Sequence, residues 1–335
     1  MKFAEIDIAG AEGAILAHSV KSGGVNFKKG RVLSTEDVSA LKAASVRRVF
    51  SARLAPTDIH EDAAAARLAK AVCGDGVTRQ DASTGRANIY ASHDGIALVD
   101  AGLVRVLNRI HESVTLATLT PFQAVKSGQM VATVKIIPFA APADIVEEAV
   151  RLAGSGTLVS VVPFKPCRAG LVLTRTDGMK TSLLEKSARV IRERLERHGS
   201  SLGDVIEVPH TIEGVADGIS QLKASGHAPV LVFGASAIVD RGDVVPAGLQ
   251  AAGGTIVHLG MPVDPGNLLL LGNLDGEAVI GVPSCARSPK LNGFDWVLGR
   301  VLAGIDVRPQ DIMDMGAGGL LMEIETRPSP RETDR

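Results

Sequence analysis

From about Val159 onward, short apolar runs alternate with helical stretches, and this alternation constrains the fold more than any other feature of the chain. The stretch "PVLVFGASAIVDRGDVVPAGLQAAGG", Pro229 to Gly254, shows the unit. Val230 to Phe233 is an apolar, mostly β-branched or aromatic run, as expected of a strand buried on both faces. It stops at Gly234 and leads to Asp240, Arg241 and Asp243. A helix follows, with Asp243 placed to cap it, Pro246 in its first turn and Gly253-Gly254 to end it. "AGLVLTRT" reads as another buried strand. Thr181 to His198 reads as a helix with a Ser182–Glu185 capping box, an apolar face of Leu184, Ala188, Ile191 and Leu195, and Gly199 beyond its end. A short strand near Val205 and a helix from about Ile212 to Ala224 come next. Further strands are "GTIVHL", "LLLLG" and "EAVIGVP", and a last helix is predicted from Ser288-Pro289 to Leu302. The expected class is α/β, a doubly wound, mostly parallel sheet that binds ligands outside the carboxyl ends of its strands.

The first half lacks this period. "FAEIDI", "AILAHSV", "VRRVF", "GIALVD" and "SVTLATL" read as strands, and "DIHEDAAAARLAKAVCG" as an Ala-rich helix. Residues 1–141 are therefore expected as a smaller α+β, β-rich domain. Residues 142–166 form a connecting helix and linker, 167–325 the α/β domain, and 326–335 a polar, disordered tail. At 335 residues and 45% hydrophobic, the chain can bury more than one core. A net charge of −1 and 3% aromatic residues give no electrostatic or stacking case for nucleic acid. Three separated cysteines, no apolar run long enough to span a bilayer and no leader pattern point to a cytoplasmic protein without membrane contact.

Four strand ends in the second half release polar, glycine or proline residues. They are Thr174, Thr176, Asp177, Gly178 and Ser182; Gly234, Ala235, Ser236, Asp240, Arg241 and Asp243; Asp264, Pro265, Gly266 and Asn267; and Pro283, Ser284, Arg287, Ser288 and Lys290. Helix starts at the first, second and fourth would offer free backbone N–H groups to anions. The carboxylates would hold a divalent cation or a polar ring. Taken singly, each loop is also explained by capping and turn formation. The eight histidines never pair at metal-ligand spacing. Lys28, Lys29 and Arg31 form a basic turn after Gly23-Gly24 that would receive a phosphate, or simply be a solvated hairpin.

The segment from about Arg168 to Leu302 resembles the molybdopterin-binding domain shared by molybdopterin adenylyltransferases and molybdotransferases. Thr176-Asp177 stands for that family's "T-G-D-E"-like turn, and Gly234 to Asp240 partly for its "G-G-x-S/T-x-G-D" loop. "DPGNLLLLG" (Asp264 to Gly272) stands beside "P-G-K-P-x-x-x-G", and "GVPSCARS" (Gly281 to Ser288) keeps the first proline and the serine of "G-L-P-G-N-P-x-S". Departures are Ala235 for the second paired glycine, Gly242 as an extra residue, Ser284-Cys285-Ala286 for Gly-Asn-Pro, and Asn267 for the lysine. "SHDGIALVD" (Ser92 to Asp100) is similar to an early molybdotransferase motif but lies in different surroundings. The whole chain resembles bacterial proteins known simply as molybdopterin-binding.

The resemblance implies a protein of molybdenum cofactor maturation that binds molybdopterin or its nucleotide form. As a nucleotidyl- or molybdo-transferase, it would use Asp240 and Asp243 to hold magnesium and Asp177 to orient the ligand. The alternative is a non-catalytic carrier that delivers the cofactor to a cytidylyltransferase or an apo-molybdoenzyme. A nucleotide hydrolase of the competence-damage-inducible type is a third reading. The family's habit of forming dimers or trimers implies a homo-oligomer.

Overall fold

The computed structural model describes residues 1–321. The predicted tail, residues 326–335, lies outside the described residues. The chain divides into two compact units, with the boundary between Pro163 and Phe164.

The first unit is built from small antiparallel sheets. Lys2–Asp7, Arg48–Arg53 and Ile15–Leu16 form one, beside helix Thr35–Ala43. That helix starts with a full capping box, Ser34 with Asp37, which also receives a bidentate bond from Arg31 at 2.7 Å to each carboxylate oxygen. A four-stranded sheet orders Val114–Thr118, Met130–Ile136, Arg86–Ala91 and Val77–Arg79. Helices Glu61–Val72 and Ala143–Ala153 belong to the same core, with Leu68, Val72, Val146 and Ala149 packed among Ile89, Val134 and Ile136. Ala143–Ala153, expected as a connection, is thus a core helix: its apolar stripe has a sheet to cover.

The second unit has one six-stranded sheet. Its elements in chain order are β1 (Arg168–Arg175), α1 (Thr181–Glu196), β2 (Ser201–Pro209), α2 (Ile212–Ala224), β3 (Val230–Phe233), α3 (Val244–Ala251), β4 (Thr255–Leu259), β5 (Leu270–Leu274), β6 (Glu277–Val282) and α4 (Gly293–Leu302). The strand order is β2-β1-β3-β6-β5-β4. β2, β1, β3 and β6 pair in parallel, whereas β5 runs against both β6 and β4. The sheet is therefore doubly wound and mostly parallel, with one reversed strand. Alternating residues of β1 serve opposite faces. Leu171 and Leu173 pack with α1 and α4 through Leu184, Ile191, Phe294 and Leu298. Val172 packs with α2 and α3 through Val215, Ile219, Val245 and Leu249.

Two expected helix starts are corrected. Ser182 and Glu185 form no capping box: Lys180 is the N-cap, and Ser182 is already the second helical residue. The last helix begins at Gly293 rather than at Ser288-Pro289. Asn292 and Asp295 form its capping box, and Ser284–Arg287 make a short 3-10 turn instead. The reciprocal Asn292–Asp295 bonds satisfy two amides that have no intrahelical partner at this start.

Candidate functional site

The chain leaves β1 for α1 on one face of the sheet and leaves β3 for α3 on the other, so the topological switch point lies between β1 and β3. The loops at 176–180, 234–243, 260–269 and 283–292 all lie at this carboxyl edge of the sheet. The structure therefore brings the four predicted loops to one edge.

Their polar groups are engaged to very different degrees. Thr174, only 1% exposed, accepts from the Ala235 amide at 2.7 Å and shares a 2.8 Å hydrogen bond with His210 Nδ1. Its hydroxyl thus ties β1 to the loop after β3. In that loop Gly242 N donates to Asp240 Oδ1 at 2.8 Å. Asp243 accepts from Val244 N at 2.8 Å and Val239 N at 3.2 Å. Each Asp243 oxygen thus accepts one backbone amide, which makes Asp243 the cap of α3. Among the described residues no group of three or more His, Cys, Asp or Glu side chains is placed to hold a metal ion.

The loop after β6 is braced from inside. Arg287 stacks over the Phe233 ring at 4.3 Å and donates to Gly234 O and Ser187 Oγ, each at 3.2 Å. Burial lowers the pKa of its guanidinium. Arg194 of α1, 2% exposed, donates to Asp295 at 2.6 Å and to the carbonyls of Ala286, Ser288 and Lys290. Asn292 donates to Cys285 Sγ at 3.1 Å. The Asp264–Asn267 loop folds onto the start of α4: Pro265 O accepts from Gly293 N at 2.9 Å, and Gly266 holds φ +140°. The amino end of α4 is therefore filled by Asn292, Asp295 and Pro265 and is not available to an anion. On the far side, burial and the nearby Arg241 charge lower the His258 pKa.

The first loop differs. A shallow, open cleft of about 540 Å³, most of its lining exposed, is bordered by Thr176, Asp177, Gly178, Met179, Lys180, Ser182, Leu183 and Lys186. Arg175 holds its floor by donating to Met179 O at 3.4 Å. Lys180 gives the first turn of α1 no side-chain cap, no acid stands in that turn, and the Thr181 and Ser182 amides make no bond among the described residues. Open N–H groups and two lysines at a 16-residue helix start create a region of positive potential. Lys180, Lys186, Arg194 and His210 were not singled out from the sequence. The signal for the two lysines was legible, because cations at a helix start oppose the macrodipole.

Comparison with known proteins adds little at this level. A family model described as "Domain of unknown function (DUF8806)" matches residues 5–53. No curated protein matches the chain. Among solved structures, the chain is similar to a molybdopterin biosynthesis moea protein from Pyrococcus horikosii at 12% identity, covering 90% of this chain and 75% of that one, with a TM-score of 0.33. It is also similar to a molybdenum cofactor biosynthesis protein from Pyrococcus furiosus at 11% identity, covering 91% and 66% respectively, with a TM-score of 0.27. Likeness this slight assigns neither fold nor activity. Among the described residues no helix is long and apolar enough to cross a membrane.

Proposed function

We propose that the second unit binds molybdopterin or its nucleotide form and that the protein acts in molybdenum cofactor maturation. The observation that carries this reading is the cleft at the start of α1. Its size suits a small ligand. Its lysines and open amides suit a phosphate, and the Asp177 carboxylate suits the ring N–H groups of a pterin. Met179 and Leu183 add apolar surface for a flat ring. The order of the four sequence motifs along the chain supports the same ligand.

The engaged donors of the other loops favour holding over turnover. Ala235 N, Val244 N and Gly293 N, which would stabilise charge on a transferred phosphoryl group, already bond within the protein. A carrier that passes the cofactor to a cytidylyltransferase or an apo-molybdoenzyme needs the cleft alone. Calorimetric titration with molybdopterin and its adenylylated form, followed by mass analysis, tests this. Binding with the ligand recovered unchanged, weakened about tenfold in Lys180→Ala, is the expected result. Release of AMP would make the protein a transferase instead, and no binding to either form would remove the proposal.

A further inference from the structure

A second cavity, of about 360 Å³, lies in the first unit and is lined by Lys29, Gly30, Glu61, Thr84, Arg86, Lys135, Ile137 and Phe139. Three cations converge there against one carboxylate. Glu61 is committed to Lys135 at 3.4 Å, and Lys135 also donates to Thr84 O at 2.6 Å. Lys29 and Arg86 make no ion pair among the described residues, so two positive charges are left unmatched.

The local structure keeps this arrangement at a cost. Arg86 stands directly opposite Lys135 across the antiparallel pair of strands, a like-charge placement that destabilises a sheet. Thr84, β-branched, is held at φ +51° in the turn that precedes Arg86, and such strain persists where its surroundings enforce it. The next residue, Gly85, sits at φ +71°, and a Cβ there would collide with the Glu61 carboxylate and the Lys135 ammonium. Gly85 N donates to Asp62 at 2.6 Å, which fixes the turn against the start of helix Glu61–Val72. A like-charge pair beside a strained turn is poor stability design, and an anion between the two charges would offset their repulsion.

We propose that this cavity is an anion-binding site in which Lys29, Arg86 and Lys135 receive the phosphate monoester of a small molecule carrying a flat apolar group. Two unmatched positive charges suit a phosphate, which carries nearly two negative charges at neutral pH. The Arg86 guanidinium offers paired donors to its oxygens. Phe139, whose ring lies 5.5 Å from Lys29 Nζ, and Ile137 give the apolar group a wall.

Calorimetric titration of the full chain at low ionic strength, with inorganic phosphate and phenyl phosphate as probes, tests it. Both probes should bind, phenyl phosphate more tightly, and Arg86→Ala should weaken each by about tenfold or more. Lys180→Ala in the second unit should leave this binding step intact, which separates it from any step at the other cleft. Absence of binding by the unaltered chain overturns the proposal, as does full affinity in Arg86→Ala. An equal loss in Lys21→Ala, an exposed lysine outside the cavity, would show general surface attraction and also overturn it. Should Arg86→Ala not fold, Lys29→Gln lies on a separate element and must show the same loss; unchanged affinity there is equally decisive against the site.

Discussion

The amide of Ala235 donates to the Thr174 hydroxyl at 2.7 Å, bridging the switch point between β1 and β3 where an open α/β sheet ordinarily receives its ligand. The bond fixes the loop after β3 from below and leaves the neighbouring cleft at α1 as the open part of the edge. Thr174→Val keeps the shape, orphans the Ala235 amide and deprives His210 Nδ1 of its partner. It should cost about 1–3 kcal/mol of unfolding free energy. Urea denaturation checks this, and an unchanged midpoint would mean that water replaces the hydroxyl.

Arg194 carries more. Its guanidinium reaches Asp295 and three carbonyls of the loop after β6. Arg194→Met preserves much of the apolar stem but leaves a part-buried carboxylate and three carbonyls without their donor. A loss of about 3–5 kcal/mol is expected. Equilibrium denaturation that finds less than about 1 kcal/mol would show the loop to be held by other contacts.

The Arg31–Asp37 pair predicts a pH dependence in the first unit. The bidentate bond from Arg31 holds the Asp37 carboxyl below its ordinary pKa despite the opposing effect of burial. A depressed folded pKa contributes stability that is present above the unfolded value, about 4, and lost as pH falls through the lower folded value. Stability should therefore decline below about pH 5 in the native chain. In Asp37→Asn this share of the decline should be missing. Denaturation midpoints compared between pH 7 and about pH 3 read the difference.

Lys180 opposes the dipole of the helix it precedes. Lys180→Glu should raise stability by about 0.3–1 kcal/mol, because it puts an acid at an uncapped helix start. The same change should abolish anion binding in the cleft. A variant that gains stability and still binds would place the ligand elsewhere.

Much of the sheet was legible residue by residue. Val230–Phe233 and Ile212–Ala224 carry strand and helix patterns strong enough to set their own bounds, and Asp243 caps where a short polar side chain before an apolar run should. Other features needed tertiary information. Ser187 and Arg194 lie on the buried stripe of α1, whereas Ala188, counted into that stripe by its apolar side chain, is only partly buried. A charged residue on such a stripe looks like an exposed one until its partners, about a hundred positions away, are in place. The reversal of β5 had a local signal, Asp275-Gly276 between two apolar runs, that strand–helix alternation overshadowed. In the candidate site, the loops could be located from strand ends, and so could the Asp243 cap, but the occupancy of the Ala235 and Gly293 amides could not, since the bonds that fill them come from β1 and from another loop.

That reversed strand has a kinetic consequence. β5 and β6 are joined by two residues, Asp275 at φ +51° and Gly276 at φ +88°, and pair in register from Leu274–Glu277 to Leu270–Gly281. The parallel strands of the sheet meet only after a helical crossover has been threaded, which makes them slow to find one another. A two-residue hairpin closes in about 1–10 μs. The second unit thus contains a fast-forming seed whose outer edge, β6, is the template on which β3 and then β1 can be laid down.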